Sequence, residues 1–268
     1  MTTPGPRRTP RPRIGCAGWT IPAAHAHLFR AGDSVLARYA TRFDAVEINS
    51  SFYRPHQRKT YERWAESVPH GFRFSVKVPK VITHEQLLQR SGPELDRFVD
   101  EIGGLGRKLG GVLVQLPPSL PFDARVAANF FAMLRRRLST RIACEPRHAS
   151  WFTAAADALW TRHAIARVAA DPSLAAAARI AAGQGPWRYW RWHGTPRMYY
   201  SAYDEQALRA LAIDVEAATP IRTEAWIIFD NTAHGHATAD AARLQRLLQD
   251  IAAGRLTDTI DGPLPDRC

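Results

Sequence analysis

A chain of 268 residues, 46% of them hydrophobic, can bury one large core, and (β/α) barrels of about 250 residues commonly form a single domain. Its apolar runs, such as residues 225–229, are strand-sized and far short of the roughly 20 residues of a membrane-spanning helix, so no membrane partner is expected. The formal net charge of +11 invites a nucleic-acid reading, but Arg7, Arg8, Arg11 and Arg13 leave only +7 for the rest of the chain.

Cys16, Cys144 and Cys268 are odd in number and lack metal-type spacing, which reads as reduced thiols in a cytoplasmic protein. No apolar segment follows Arg7 and Arg8, so a secretory signal is not expected. Residues 1–12, rich in Pro and Arg, read as a disordered basic arm dispensable for the fold. Residues 13–256 read as the barrel domain and 257–268 as a tail.

Eight β-like runs follow in chain order, each succeeded by a helical pattern. The first two, Arg13–Gly18 and Ala45–Ser50, precede helices over Val35–Phe43 and Lys59–Val68. Arg73–Val78 and Gly111–Leu116 lead into helices over Leu95–Leu105 and Val126–Leu138. Arg141–Glu145 and Ile165–Ala170 precede Ala154–Arg162 and Leu174–Ala182. Arg188–His193 and Ala225–Asp230 come before Glu205–Ala217 and Ala239–Ile251. Parallel strands need crossover connections, so this alternation predicts a single (β/α)8 TIM-type barrel of α/β class. No Gly-rich turn of dinucleotide type follows the first strand, and no nucleotide cofactor is expected.

Successive strand residues point to opposite faces. Val46 and Ile48 then face the helices while Glu47 and Asn49 face the axis; Phe74, Val76 and Val78 go outward while Ser75 and Lys77 go inward. Leu113 pairs with Gln115 and Ala143 with Glu145, with Arg147 just beyond; Tyr189, Arg191 and His193 share one face. Pattern alone leaves open which of Asp230 and Asn231 points inward. Most strands thus end in polar groups at the C-terminal side, where barrel enzymes assemble their active sites.

Several blocks together resemble one family: residues 14–19 (IGCAGW), 46–53 (VEINSSFY), 74–79 (FSVKVP), 82–84 (ITH), 113–119 (LVQLPPS), 145–151 (EPRHASW), 191–194 (RWHG) and 229–232 (FDNT). Over roughly residues 14–250 the chain resembles the YecE-like family, domain of unknown function 72. The resemblance implies a barrel and leaves the chemistry to the residues. Relatives often read Phe-Asn-Asn in the last block, which ranks Asn231 above Asp230.

Glu145, His193, Glu47 and Lys77 are the catalytic candidates, with Glu145 and His193 as proton carriers. Glu47 and Lys77, on adjacent strands about 4.8 Å apart, are expected to form an ion pair. Lys77, Arg147 and Arg191 are expected to hold an anion, with Trp19, Asn49, Tyr53, Gln115, Tyr199 and Asn231 as further binding residues. Asp171 is a helix N-cap, a metal ligand or a partner of Arg191, and Asp230 is a second metal candidate. Glu145→Gln is expected to be neutral or stabilising if the carboxylate is functional, and costly if it is the buried partner of Arg147 or Arg191.

A hydrolase or lyase using general acid/base chemistry on a small anionic substrate, phosphorylated or glycosidic, leads the functional readings. A metal-dependent phosphodiesterase resembling endonuclease IV-like barrels is the second. A single Mg²⁺ or Mn²⁺ suits it better than a multi-zinc centre, because His193 is the sole histidine at a strand end. A non-enzymatic nucleic-acid-binding barrel is the third.

Overall fold

A computed structural model of the protein describes residues 11–183 and 185–255. The basic arm up to residue 10 and the tail at 257–268 lie outside them. The strands are β1 (Arg13–Cys16), β2 (Ala45–Ile48), β3 (Arg73–Lys77), β4 (Leu109–Gln115), β5 (Arg141–Glu145), β6 (Ile165–Arg167), β7 (Ala169–Asp171), β8 (Trp187–Trp192) and β9 (Glu224–Phe229). The α-helices are α1 (Val35–Tyr39), α2 (Ser50–Tyr53), α3 (Arg58–Glu66), α4 (Gly92–Ile102), α5 (Ala124–Arg137), α6 (Ala154–Arg162), α7 (Glu205–Ala218) and α8 (His236–Ala252).

Local sequence explains these elements. In α5, Asp123 caps the first turn by accepting from the amides of Arg125 and Val126 at 2.9 Å. Its last turn carries Arg135, Arg136 and Arg137, opposite in sign to the helix C-terminus. Ala127, Phe130, Phe131 and Leu134 repeat at helical spacing and are the residues it buries.

The ladder bonds make two all-parallel sheets, ordered β1-β9-β8-β7 and β2-β3-β4-β5-β6. The sixth predicted strand is interrupted at Val168, whose amide donates to Cys144 O at 2.9 Å while the next residues join β8. One extended segment therefore serves both sheets. At the other seam, Tyr39 separates β1 from β2: its hydroxyl accepts from Cys16 N at 2.8 Å and donates to Ala45 O at 3.1 Å. Only the bridge between Ala17 and Glu47 joins the two strands directly. The predicted helix at 174–182 is a 3-10 turn, Ala176–Arg179, because Ala182 bonds back to Arg167 as an antiparallel bridge.

Period-two alternation divides the core. Outward residues such as Val46, Ile48, Phe74, Val76, Val112 and Ile142 join the helices in one apolar cluster. Ala45, Leu113, Ala143, Ala166, Val168, Trp187, Tyr189, Trp226 and Ile228, drawn from both sheets, form a second. The two sheets thus face each other across that inner cluster, with Trp187 and Trp226 filling its end near the strand N-termini. Both described cysteines, Cys16 and Cys144, are buried free thiols.

The indoles leave no room on β4. A Cβ on Gly111 would sit 2.5 Å from the Trp187 ring, and one on Gly110 2.6 Å from Trp226. Gly111→Ala is therefore expected to cost about 1–3 kcal/mol, as overpacking does in a rigid core. Urea unfolding followed by tryptophan fluorescence measures it, and an unchanged midpoint would contradict the packing.

Candidate functional site

Where the inner cluster ends, at the C-termini of the strands, the enclosed side chains become charged. Glu47, Glu145, Arg191 and His193 are each 0% exposed, Lys77 and Asp230 4%. Arg191 is the hub. Its Nε and Nη2 grip Glu47 in a fork at 3.0 and 2.7 Å, Nη1 reaches Glu145 Oε2 at 2.7 Å, and Nη2 also reaches Asp230 Oδ2 at 3.0 Å. Tyr189 adds a hydroxyl donor to Glu47 at 2.9 Å.

Glu145 is satisfied from several sides. Besides Arg191 it takes Arg147 Nε at 2.7 Å, Gln115 Nε2 at 3.2 Å and a His193 Nε2 contact at 3.0 Å. Burial alone would raise its pKa, but Arg147, Arg191 and His193 overcome that and hold it well below the usual carboxylate range. Asp230 is held low in the same way, against burial, by Arg191, His193 and Lys77. Arg191 is raised well above its ordinary value by Glu47, Glu145 and Asp230 despite its burial.

His193 sits between the carboxylates, with Nδ1 3.0 Å from Asp230 Oδ2. Its Nε2 faces a donor and an acceptor at once: Arg147 Nη2 at 2.8 Å and Glu145 Oε1 at 3.0 Å. A neutral ring protonated on Nδ1 accepts from Arg147, whereas an imidazolium donates to Glu145. One proton separates the two arrangements.

Lys77 departs from its expected role. The ion pair with Glu47 does not form, because Arg191 and Tyr189 already occupy both Glu47 oxygens. Among the described residues Lys77 Nζ makes no hydrogen bond or ion pair; it lies 4.0 Å above the Phe52 ring. Burial first, then the Arg191 charge, lower its pKa from 10.5 to about 8, against the opposing pull of Glu47, Asp230 and Glu145.

The remaining candidates divide. Gln115 and Arg147 join the network, and the Tyr199 ring packs edge-on against His193 with centroids 5.7 Å apart. Trp19 packs edge-on against Trp64, Tyr53 is 67% exposed, and half-buried Asn49 has a side-chain oxygen without a partner. Asn231 turns away from the network: its Nδ2 donates to Ser201 O at 2.9 Å and Asp240 Oδ2 at 2.8 Å, tying β9 to α8. Between the two neighbours, Asp230 is the inward one.

Asp171 is neither a cap nor a partner of Arg191. Its Oδ1 accepts from Tyr203 at 2.9 Å and from the Thr195 hydroxyl, fastening the loop after β8. The two metal candidates are thus engaged by protein donors, and among the described residues no group of three or more His, Cys, Asp or Glu is arranged to hold a metal. No described helix is long and apolar enough to cross a membrane.

Sequence reasoning missed His84. It lies in a single π-helical turn, Val81–Glu85, with Nδ1 2.8 Å from the Thr83 hydroxyl, and its ring crosses Phe52 with centroids 4.9 Å apart. Burial, then the Lys77 charge, lower its pKa. The turn is bulged, so strand and helix periodicities both fail there; its inclusion in the family blocks was the one available signal.

A family model described as "Protein of unknown function DUF72" matches residues 13–262. The chain belongs to that family. Curated relatives include UPF0759 protein YecE of Escherichia coli K12, 30% identical over 104 residues, covering 39% of this chain and 37% of that protein. UPF0759 protein YunF of Bacillus subtilis is 26% identical over 151 residues, 52% of each chain, so these alignments span about half or less of either relative. Among solved structures, a DUF72 protein of Thermotoga maritima superposes with TM-score 0.74 at 22% identity, over 88% of this chain and 98% of that one. One from Enterococcus faecalis gives 0.72 at 20% identity, over 91% and 99%. At these identities the likeness speaks for the fold.

Glu145→Gln is expected to cost about 3–5 kcal/mol, the penalty for breaking one member of a buried ion cluster and the outcome the sequence reading attached to a buried partner of Arg147 or Arg191. The lowered values of Glu145 and Asp230 stabilise the fold at every pH above the ordinary carboxylate range, about pH 4. That stabilisation disappears as pH falls through the lowered folded values; the raised value of Asp240 opposes it in part. Chemical denaturation from pH 7 to 2 should show wild type losing this increment at the acid end, with Glu145→Gln flatter. Equal slopes for the two proteins would contradict the assignment.

Proposed function

We propose that the protein is a hydrolase or lyase acting on a small anionic substrate, phosphorylated or glycosidic, by general acid/base chemistry at the mouth of a (β/α) barrel. In this reading the two parallel sheets act as one barrel, joined through Val168 on one side and the Tyr39 seam on the other. Lys77 is the observation that carries the proposal: a buried ammonium with no direct ion pair among the described residues, beside three carboxylates and two guanidiniums that pair with one another. An unpaired buried cation is unfavourable for folding, and such costs concentrate at functional sites.

The roles follow from what each group still has to offer. Arg191, with four of its five N–H groups held by three carboxylates and the fifth facing His193 Nε2 at 3.5 Å, is enclosed by the network and positions the others. Lys77 and Arg147 supply positive charge to the substrate anion. His193 exchanges the proton, its two arrangements supported by Arg147 and Glu145. Glu145, locked as a carboxylate, stabilises the protonated ring instead of donating a proton itself. Trp19, Tyr53 and Tyr199 offer aromatic surface for the uncharged part of the ligand.

Titration with inorganic phosphate, followed by calorimetry or chemical shifts, is expected to show saturable binding that Lys77→Met abolishes. No binding up to roughly tens of millimolar in folded protein would overturn the reading, since converging fixed cations of this kind favour oxyanions. The same variant tests the cost of the ammonium. Its pKa drop from 10.5 to about 8 corresponds to about 3 kcal/mol at most, present in full below pH 8 and gone above 10.5. Lys77→Met should therefore be more stable than wild type at pH 7, with the gain shrinking as pH rises. A less stable variant at pH 7 would mark Lys77 as structural.

A further inference from the structure

We infer that Lys77 acts as a covalent nucleophile: its amine condenses with an aldehyde or ketone carbonyl of the anionic substrate to form an imine, with His84 carrying the proton. The inference rests on the anionic-substrate reading and names the class of substrate, an anionic carbonyl compound.

Geometry supplies the first argument. An amine that is to attack carbon needs a lone pair unclaimed by neighbours and a setting that keeps water away. Lys77 Nζ has no hydrogen-bond partner among the described residues, is buried, and rests on the Phe52 ring. The other three lysines of the chain are differently placed: Lys59 is exposed, Lys80 is exposed and pairs with Glu85 at 3.2 Å, and Lys108 donates to the carbonyls of Ala65 and Val68.

Second, a proton carrier stands nearby. His84 packs on the same Phe52 ring as Lys77, and burial, with the ammonium's field second, favours the neutral imidazole. Thr83 engages Nδ1 at 2.8 Å, and Nε2 has no hydrogen-bond partner among the described residues. The π-helical turn that places His84 is of a kind often found at functional sites.

Third, the charges around Lys77 set the amine fraction. Burial and Arg191 lower its pKa to about 8, while Glu47, Asp230 and Glu145 pull the other way. About a tenth of the side chain is then free amine at pH 7, against under about a thousandth for an ordinary lysine.

The step balances without an oxidant or reductant. The amine nitrogen bonds to the carbonyl carbon, the C=O π pair moves to oxygen, and His84 relays a proton from nitrogen to that oxygen. The nitrogen lone pair of the carbinolamine then expels the hydroxyl, protonated by His84 to leave as water, and the remaining N–H proton returns to His84, leaving C=N. Arg147 keeps hold of the substrate's anionic group while the free-amine fraction of Lys77 attacks the carbonyl.

Reductive trapping tests the inference. The full-length protein is incubated at pH 7 with glycolaldehyde phosphate and borohydride, which adds hydride to an imine carbon, and the labelled lysines are mapped by peptide mass spectrometry. Neutral glycolaldehyde runs in parallel. Lys77 is expected to be labelled about 10²-fold faster than Lys59 or Lys80, the ratio set by free-amine fraction, and faster by the phosphorylated probe than by the neutral one. His84→Gln should slow Lys77 labelling by about 10²-fold, as loss of a proton carrier does, while leaving phosphate affinity unchanged. Undiminished labelling in that variant would remove His84 from the step. Labelling spread evenly over the exposed lysines, or absent from Lys77 in protein that binds phosphate, would overturn the imine and leave the anion site standing. Failure of both trapping and phosphate binding would overturn the two readings together.

Discussion

The guanidinium of Arg191 is the constraint on which the rest of the site depends. It is fully buried, so each of its N–H groups must find an acceptor or leave a large desolvation cost uncompensated. Glu47, Glu145 and Asp230 supply four of those acceptors from three different strands, or strand ends, of the two sheets, and His193 Nε2 faces the fifth at 3.5 Å. Because the guanidinium is planar and its donors are fixed, the three carboxylates can occupy only a narrow set of positions. The sheets are thereby held together at their polar end, much as Trp187 and Trp226 hold them at the apolar end. Packing and electrostatics divide the interior between them.

That division explains why Lys77 is left over. Three carboxylates share two guanidiniums, Arg191 and Arg147, with His193 inserted between two of them. In the sheet register Lys77 lies level with Leu113 and Ala143, one pleat below Gln115 and Glu145. It feels the network's field without touching any of its oxygens. The ammonium is left with an aromatic face in place of a counter-ion, and a cation–π contact replaces only part of what hydration would supply. The members of the network thus fix one another, whereas Lys77 has no direct ion-pair partner among the described residues.

Much of this arrangement was legible in the sequence, and the failures have physical causes. Alternation placed Glu47, Lys77, Gln115, Glu145, Arg191 and His193 on the interior correctly, because side-chain direction in a strand depends only on local backbone geometry. Partner choice was not legible. The Glu47–Lys77 pair was inferred from strand adjacency, yet the long Arg191 side chain reaches Glu47 from the opposite sheet and takes both oxygens. The register of the last block was undecidable from pattern, and the ranking of Asn231 over Asp230 came from relatives. In the structure Asn231 ties down α8 while Asp230 enters the network. The missing helix at 174–182 shows composition misleading in the other direction: an alanine-rich run has high helix propensity, but a tertiary bridge to Arg167 claims its end.

The same comparison changes which residue carries the chemistry in the proposed reaction. A carboxylate at a strand end invites the role of general acid, and Glu145 has the position for it. Its environment works against that role: Arg147, Arg191 and His193 overcome burial and hold its pKa well below the usual carboxylate range, further from neutrality. A group serves best as acid or base when its pKa lies near the working pH, and burial beside like charge brings Lys77 toward that range. Arg191 lowers both pKa values, although for Lys77 the network's carboxylates, Glu47, Asp230 and Glu145, pull the other way. Burial acts on the two groups in opposite directions, raising the carboxylate's pKa and lowering the ammonium's. For Glu145 the cations prevail over burial, whereas for Lys77 burial and cation act together. In the proposed reaction the chemistry therefore passes from the best-connected residue of the site to its least-connected one.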